Sequence, residues 1–315
     1  MININIMSKN KRNLAPYRRK ILNGFYLYLK GKRYSMSTIR AYTYHMADLL
    51  SYYADLPLDK LTNRSIERYV ETIFIKRCYA ISTQRQLVSA LKLFIKYFPY
   101  TKIDELELER PEASKILPAV LSKREVIDLI RSTRNLKHRA IVAMIYSSGL
   151  RISELINLKL NDIDIDRRQI FIRDAKGRKD RYVMLSEGFL PLFQNYLVTY
   201  RPVQYFAEGP DGAQYTASSV RKFLKRSCEL ARIGKRVTPH TLRHSYATHL
   251  LENGVSVRHI QELLGHAKPE TTMIYTHIAK KDLLNIRSPL DTILLQLTQS
   301  KDRPPDFLLS ENYKL

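Results

Sequence analysis

Two prolines and two glycines divide the stretch RVTPHTLRHSYATHLLENGVSVRHIQELLGHAKPETTMIYTHI, residues 236–278, into short helices that must turn sharply at each break. Pro239 suits a first helical turn, where a missing N–H costs nothing, and Gly254 ends the helix it starts. Val257, Ile260, Leu263 and Leu264 then repeat at helical spacing. That stripe predicts a second buried helix stopping at Gly265, with His266 just past the cap. Pro269 suits the first position of a third helix, and Tyr275 falls one to two turns further on. On this frame His240 and Arg243 share the opening turn and one face of the first helix. Three groups able to bind or protonate a phosphate are thus followed in order by one phenol able to attack it. His240 and His244 also stand four apart, a spacing used at zinc sites, but neither a third ligand nor an H-E-x-x-H motif accompanies them. The sequence therefore implies no metal.

Tyrosine alone says little in a chain with 21 of them. A phosphate reading needs further cations, and they occur upstream. In SSGLRISELINLKLNDIDI, Arg151 follows a glycine turn and opens a short helix, with Glu154 three residues on. RQIFIRDAKGRKDRYVML then predicts a hairpin with strands about 168–173 and 180–185. Gly177 supplies the turn, and Lys176, Arg178 and Lys179 crowd positive charge at its tip. The residues alone leave open which of these cations does chemistry.

GLRISEL, HTLRHSYATHLL, QELLGH and TTMIYTH together resemble the tyrosine recombinases, the phage (lambda) integrase family, in order and in spacing. The similarity spans roughly residues 10–285. Carried over position by position, the resemblance implies two phosphate-clamping arginines at Arg151 and Arg243 and a hairpin lysine at Lys176. It also implies the H-x-x-R histidine at His240, the second histidine at His266 and the nucleophile at Tyr275.

The implied chemistry suits these residue types. A free phenol, with a pKa near 10, is a weak nucleophile at neutral pH. Two permanently charged, fork-shaped guanidiniums can hold the non-bridging oxygens of a scissile phosphate and stabilise charge in the transition state. His240 can take the phenolic proton or hold the phosphate, His266 can hydrogen-bond a non-bridging oxygen, and Lys176 can protonate the departing 5′-oxygen. The product is a 3′-phosphotyrosyl link that a foreign 5′-hydroxyl can reverse, with no cofactor or metal required. Site-specific recombination of double-stranded DNA is the function this implies, for integration and excision or for chromosome dimer resolution. A relaxing type IB topoisomerase and a catalytically silent DNA-binding accessory protein are the alternatives.

Composition agrees with a DNA partner. There are 53 Lys and Arg against 30 Asp and Glu, a net charge of +23, far more than solubility requires. Residues 1–105 hold 19 of the basic residues against 7 acidic ones. No run of about 18 apolar residues suggests a membrane span, and the N-terminus is too polar for a signal peptide. The two cysteines, Cys78 and Cys228, form no metal spacing, so a reduced cytoplasmic setting is expected.

The expected fold is mainly α in two domains. Residues 12–105 read as a DNA-binding domain of four helices, about 16–30, 36–54, 63–76 and 81–98, and the resemblance makes it a SAM-like core-binding domain. Ser37 or Thr38 and Asn63 are the expected caps. The second helix sets an apolar face, including Ile39 and Met46, against exposed Arg40 and His45. Arg64, Arg68, Lys76, Arg77, Arg85, Lys92 and Lys96 continue the basic surface. Residues 106–118 form a linker bounded by prolines. Residues 119–285 read as a mostly helical catalytic domain with a small antiparallel β-sheet, opened by a Ser122–Glu125 capping box. Its helices fall near 122–132, 136–147, 151–157, 217–231, 240–252 and 255–264. In 286–315, SPLDTILLQL carries an apolar stripe. That stripe can pack back on its own domain; the resemblance implies instead that the segment docks on a neighbouring subunit, within a tetramer of one dimer per site on two duplexes, homomeric or shared with a related recombinase.

Overall fold

Pro16 opens α1 (Pro16–Gly31), and its fixed φ is already that of a first helical turn. The protein is described here from a computed structural model that covers residues 14–104, 107–112, 117–175, 179–209, 212–266 and 269–277. The chain divides into two units between Ile116 and Leu117.

In the first unit, α2 (Met36–Tyr52), α3 (Asn63–Tyr69) and α4 (Ile81–Tyr97) follow α1. The caps lie earlier than the sequence suggested. Ser35 accepts from the Thr38 N–H of α2, and Thr62 forms a reciprocal box with Ser65 on α3. In both cases the cap is the last extended residue rather than one inside the helix. Asn63, expected as a cap, instead exchanges two hydrogen bonds with the Asp104 backbone. The helix expected over 63–76 is α-helical only to Tyr69 and continues as a π-helical turn over Val70–Ile75.

Phe25, Leu29, Met46, Leu50, Leu91 and Phe94 form the centre of this core. Because α2 packs against both α1 and α4, its buried surface is wider than a single stripe. His45, expected in solvent, is therefore buried, its ring beside Phe74. Arg40, Arg64, Arg68, Lys76, Arg77 and Lys96 are exposed, as expected. Arg85 and Lys92 are half-buried, and the Arg85 guanidinium donates to the Pro111 carbonyl.

The second unit begins with α5 (Lys123–Ser132), capped by the expected Ser122–Glu125 box. Then come α6 (Leu136–Ser148), α7 (Ile152–Asn157) and an antiparallel sheet of β1 (Ile163–Asp164), β2 (Gln169–Ala175) and β3 (Lys179–Met184) in that spatial order. Cross-strand pairs Ile170–Val183 and Ile172–Arg181 set the hairpin register. Four more helices follow: α8 (Leu190–Tyr200), α9 (Ala217–Leu230), α10 (Pro239–Glu252) and α11 (Val257–Leu264). A short α12 (Glu270–Met273) runs into a 3₁₀ turn, Ile274–His277.

The sequence did not reveal β1 or α8. The first has only two residues, too few for an alternating pattern. The second spreads Leu190, Leu192, Phe193, Tyr196, Leu197 and Val198 around its circumference, which blurs a helical stripe.

The second unit is organised around α10. Thr238 and Thr241 cap it reciprocally, and nine of its 14 residues are buried. It packs against α6, α11 and the closing 3₁₀ turn. A helix buried over most of its surface holds its polar side chains in place, which is what a preorganised site requires.

Candidate active site

Glu154 gathers the site. It lies on α7 with its side chain 5 % exposed. Its carboxylate accepts from Arg151 Nη1 at 2.7 Å and from both terminal nitrogens of Arg181, at 2.9 and 2.8 Å. Arg243 Nη1 stands 3.7 Å away. Burial alone would raise the pKa of this carboxyl. The hydrogen bonds and charge of Arg181, followed by those of Arg151, outweigh burial and hold it at about 2.

The C-terminus of α11 supplies the other half of the support. Its successive carbonyls each take one guanidinium: Leu263 from Arg181 at 2.8 Å, Leu264 from Arg243 at 2.6 Å and Gly265 from Arg151 at 2.9 Å. These carbonyls have no partner within the helix and lie at the negative end of its dipole, so cations are favoured there. Gly265 turns the chain in the left-handed region, φ +61°, where a β-carbon would press on the Arg181 side chain at 3.1 Å.

Gly149 makes a similar turn at the end of α6, φ +62°. That turn aims its carbonyl at Arg243 Nη1, 2.7 Å away. A β-carbon at Gly149 would meet the Tyr246 ring at 2.5 Å.

Five of the six residues singled out from the sequence lie among the described residues. Arg151 caps α7, and its backbone N–H also donates to Glu154. Arg243 is buried in the second turn of α10, with 3 % exposure. Burial, and then the charge of Arg151, press its pKa below the usual guanidinium range, while Glu154 acts in the other direction. His240, three residues earlier, is exposed. The shared face is therefore only approximate, with Arg243 at the floor and His240 at the lip. His266 follows Gly265, and its Nδ1 lies 2.9 Å from Thr272 Oγ1. Burial, then the charges of Arg243 and Arg151, push its pKa down to about 3, so the imidazole is neutral at pH 7.

Tyr275, in the closing 3₁₀ turn, is 1 % exposed, and its ring stacks on His266 with centroids 6.3 Å apart. Its hydroxyl lies 3.0 Å from His244 Nδ1. Burial raises the phenol's pKa, and the charges of Arg243 and Arg151 oppose that rise. Lys176 and the C-terminal segment 286–315 lie outside the described residues.

Two participants were not singled out from the sequence. Arg181 did leave a signal. Along β3 and the residue after it the inward positions alternate, half-buried Arg181, then buried Val183 and Leu185, with Tyr182 and Met184 exposed between them. An arginine in the inward register of a strand needs a buried anion, and Glu154 is that anion. For His244 the sequence offers only its four-residue spacing from His240, and only the fold brings it to a tyrosine 31 residues away.

Residues 119–282 match the phage integrase family, and residues 21–105 match the N-terminal SAM-like domain of phage integrases. An integrase/recombinase of Escherichia coli is 32% identical, over 89% of this chain and 96% of its own length. Tyrosine recombinase XerA of Pyrococcus furiosus is 36% identical, over 84% of this chain and 92% of its own. Among solved structures, the XerH site-specific recombinase in a post-cleavage complex with its palindromic difH substrate superposes with a TM-score of 0.68. The identity there is 22%, over 81% of this chain and 80% of that one. The chain belongs to the phage integrase family, the tyrosine-type site-specific recombinases. No helix among the described residues is long and apolar enough to cross a membrane.

Proposed function

We propose that the protein cuts and rejoins the strands of double-stranded DNA at a specific site, through a 3′-phosphotyrosyl intermediate on Tyr275. The observation that carries this reading is the convergence of Arg151, Arg243, His266 and Tyr275 from four separate segments of the second unit, with the two arginines fixed by Glu154 and the end of α11. The described contacts use two side-chain donors of Arg151 and two of Arg243, out of five on each guanidinium. Both therefore have donors left for a phosphate. His240 at the lip and His266 beside the phenol hydrogen-bond its oxygens. Lys176 protonates the departing 5′-oxygen. In this reading residues 12–105 bind the core site, 106–118 are the linker, 119–285 carry the reaction, and 286–315 dock on a neighbouring subunit. The working form is a tetramer, a dimer on each of two duplexes, acting in the cytoplasm.

The test begins with a binding site selected from random duplexes. Nicked duplexes carrying that site should trap a covalent protein–DNA adduct that forms equally well in EDTA. Two differently labelled duplexes should exchange strands. Adducts without exchange would indicate a relaxing topoisomerase, and metal-dependent cleavage without adducts would refute the mechanism. Deleting residues 286–315 should abolish pairing of sites while leaving adduct formation on a single duplex.

A further inference from the structure

The hydrogen-bond partner of the phenol is a residue outside the six. From the geometry we infer that His244 is the proton acceptor for Tyr275 when the phenol attacks DNA, and returns the proton in the reverse step. This rests on Tyr275 being the nucleophile, as proposed above.

His244 lies in the well-covered middle of α10, where the fold fixes its ring rather than leaving it to solvent. Its Nδ1 is 3.0 Å from the phenolic oxygen, within direct transfer distance. The ring planes are 53° apart, with centroids at 5.7 Å, so the contact is made through the nitrogen edge rather than by stacking. The charged or titratable groups around it are His240, one turn back with ring centroids 6.5 Å apart, Arg243 beside it, and His266 on the other side of the phenol.

Burial, then His240 and Arg243, bring the His244 pKa down to about 4, so at neutral pH the ring is uncharged and can accept. The phenol is protonated under the same conditions, and the bond therefore runs from the Tyr275 hydroxyl to Nδ1. A scissile phosphate between Arg151 and Arg243 brings negative charge into the same space. It offsets the cations that depress the imidazole and makes His244 more basic when a base is needed.

The balance is simple. The bond from the Tyr275 oxygen to phosphorus forms while the bond from phosphorus to the 5′-oxygen breaks. The phenolic proton goes to His244, and the 5′-oxygen takes a proton from the Lys176 ammonium. Rejoining runs each transfer backwards. His240, exposed at the lip, then acts as a phosphate ligand.

The test is single-turnover adduct formation on the nicked duplex with the selected site. His244→Asn places an amide oxygen near Nδ1 and can hold the phenol, but it cannot take a proton. The rate should fall about 10²-fold or more, the usual range for losing a general base, while site affinity changes less than about twofold. The loss should shrink steadily from pH 7 towards pH 10, as hydroxide takes over ionisation of the phenol. His244→Gln, with its amide displaced by one methylene, should be no faster and serves if His244→Asn does not fold. A folded His244→Asn or His244→Gln protein within threefold of the wild-type rate would overturn the assignment, leaving His244 a support for the ring. So would a large loss independent of pH. An adduct that still forms in Tyr275→Phe would overturn the proposed nucleophile, and this inference with it.

Discussion

Replacing Glu154 by Gln removes one negative charge from beneath three guanidiniums with almost no change in shape. The ionised carboxylate is favoured in the fold to the extent that its pKa drops from the ordinary 4.5 to about 2. At about 1.36 kcal/mol per pH unit, that depression corresponds to about 3 kcal/mol of stability at pH 7. The side chain is nearly inaccessible to water, so solvent screening does not erase this figure. Removing one partner of a buried ion pair costs about 3–5 kcal/mol in general, which is consistent.

The sign follows from a depressed carboxyl. Its contribution is complete above the unfolded pKa and is lost as pH falls through the folded one. The deficit of Glu154→Gln should therefore be about 3 kcal/mol at pH 7 and shrink to about 1 kcal/mol at pH 3. The chain has no tryptophan, so urea unfolding followed by far-ultraviolet circular dichroism is the appropriate assay. The transition of the second unit is the one to compare. A deficit below about 0.5 kcal/mol at pH 7, or one that grows at low pH, would refute the argument that Glu154 neutralises the arginines.

Three further outcomes follow from the same contacts. Arg181→Met should lower the adduct rate at least tenfold while leaving site binding within about threefold, because it frees Glu154 and the end of α11 without removing a phosphate ligand. Unchanged cleavage in that variant would show that Arg181 does not position the site. Gly149→Ala should destabilise the second unit by about 2–4 kcal/mol, since left-handed backbone strain adds to a β-carbon clash with Tyr246. Thermal melting measures that loss, and a neutral result would mean that α6 can end another way. Finally, the neutral imidazoles of His244 and His266, at about 4 and about 3, must take protons on unfolding below the ordinary 6.5. Stability should therefore fall as pH drops from about 6.5 towards 4, less steeply in His266→Asn. Urea midpoints that rise over that window would contradict the assigned burial.

Much of this fold could be read from the sequence because its determinants are local. Pro239, Gly254 and Gly265 mark α10 and α11 almost to the residue, and the Ser122–Glu125 box marks the start of α5. Where tertiary packing overrides a local pattern, the sequence misleads. His45 looks like an exposed residue until two helices close over α2.

The site divides in the same way. Arg151 and Arg243 lie in recognisable motifs, but what holds them besides Glu154 is a set of main-chain carbonyls that no side-chain pattern advertises. The bond between His244 and Tyr275 is likewise a product of the fold, joining residues whose spacing has no helical or strand meaning.

The central claim is that Tyr275, one of 21 tyrosines, becomes covalently bound to DNA. Its most direct measurement is peptide mapping by mass spectrometry of the adduct trapped on the nicked duplex, after nuclease trimming. The account predicts a nucleotide 3′-phosphate on the peptide bearing Tyr275, at that tyrosine, and no adduct at all from Tyr275→Phe. A phosphorylated nucleotide on any other residue, or cleaved DNA with no protein attached, would contradict it.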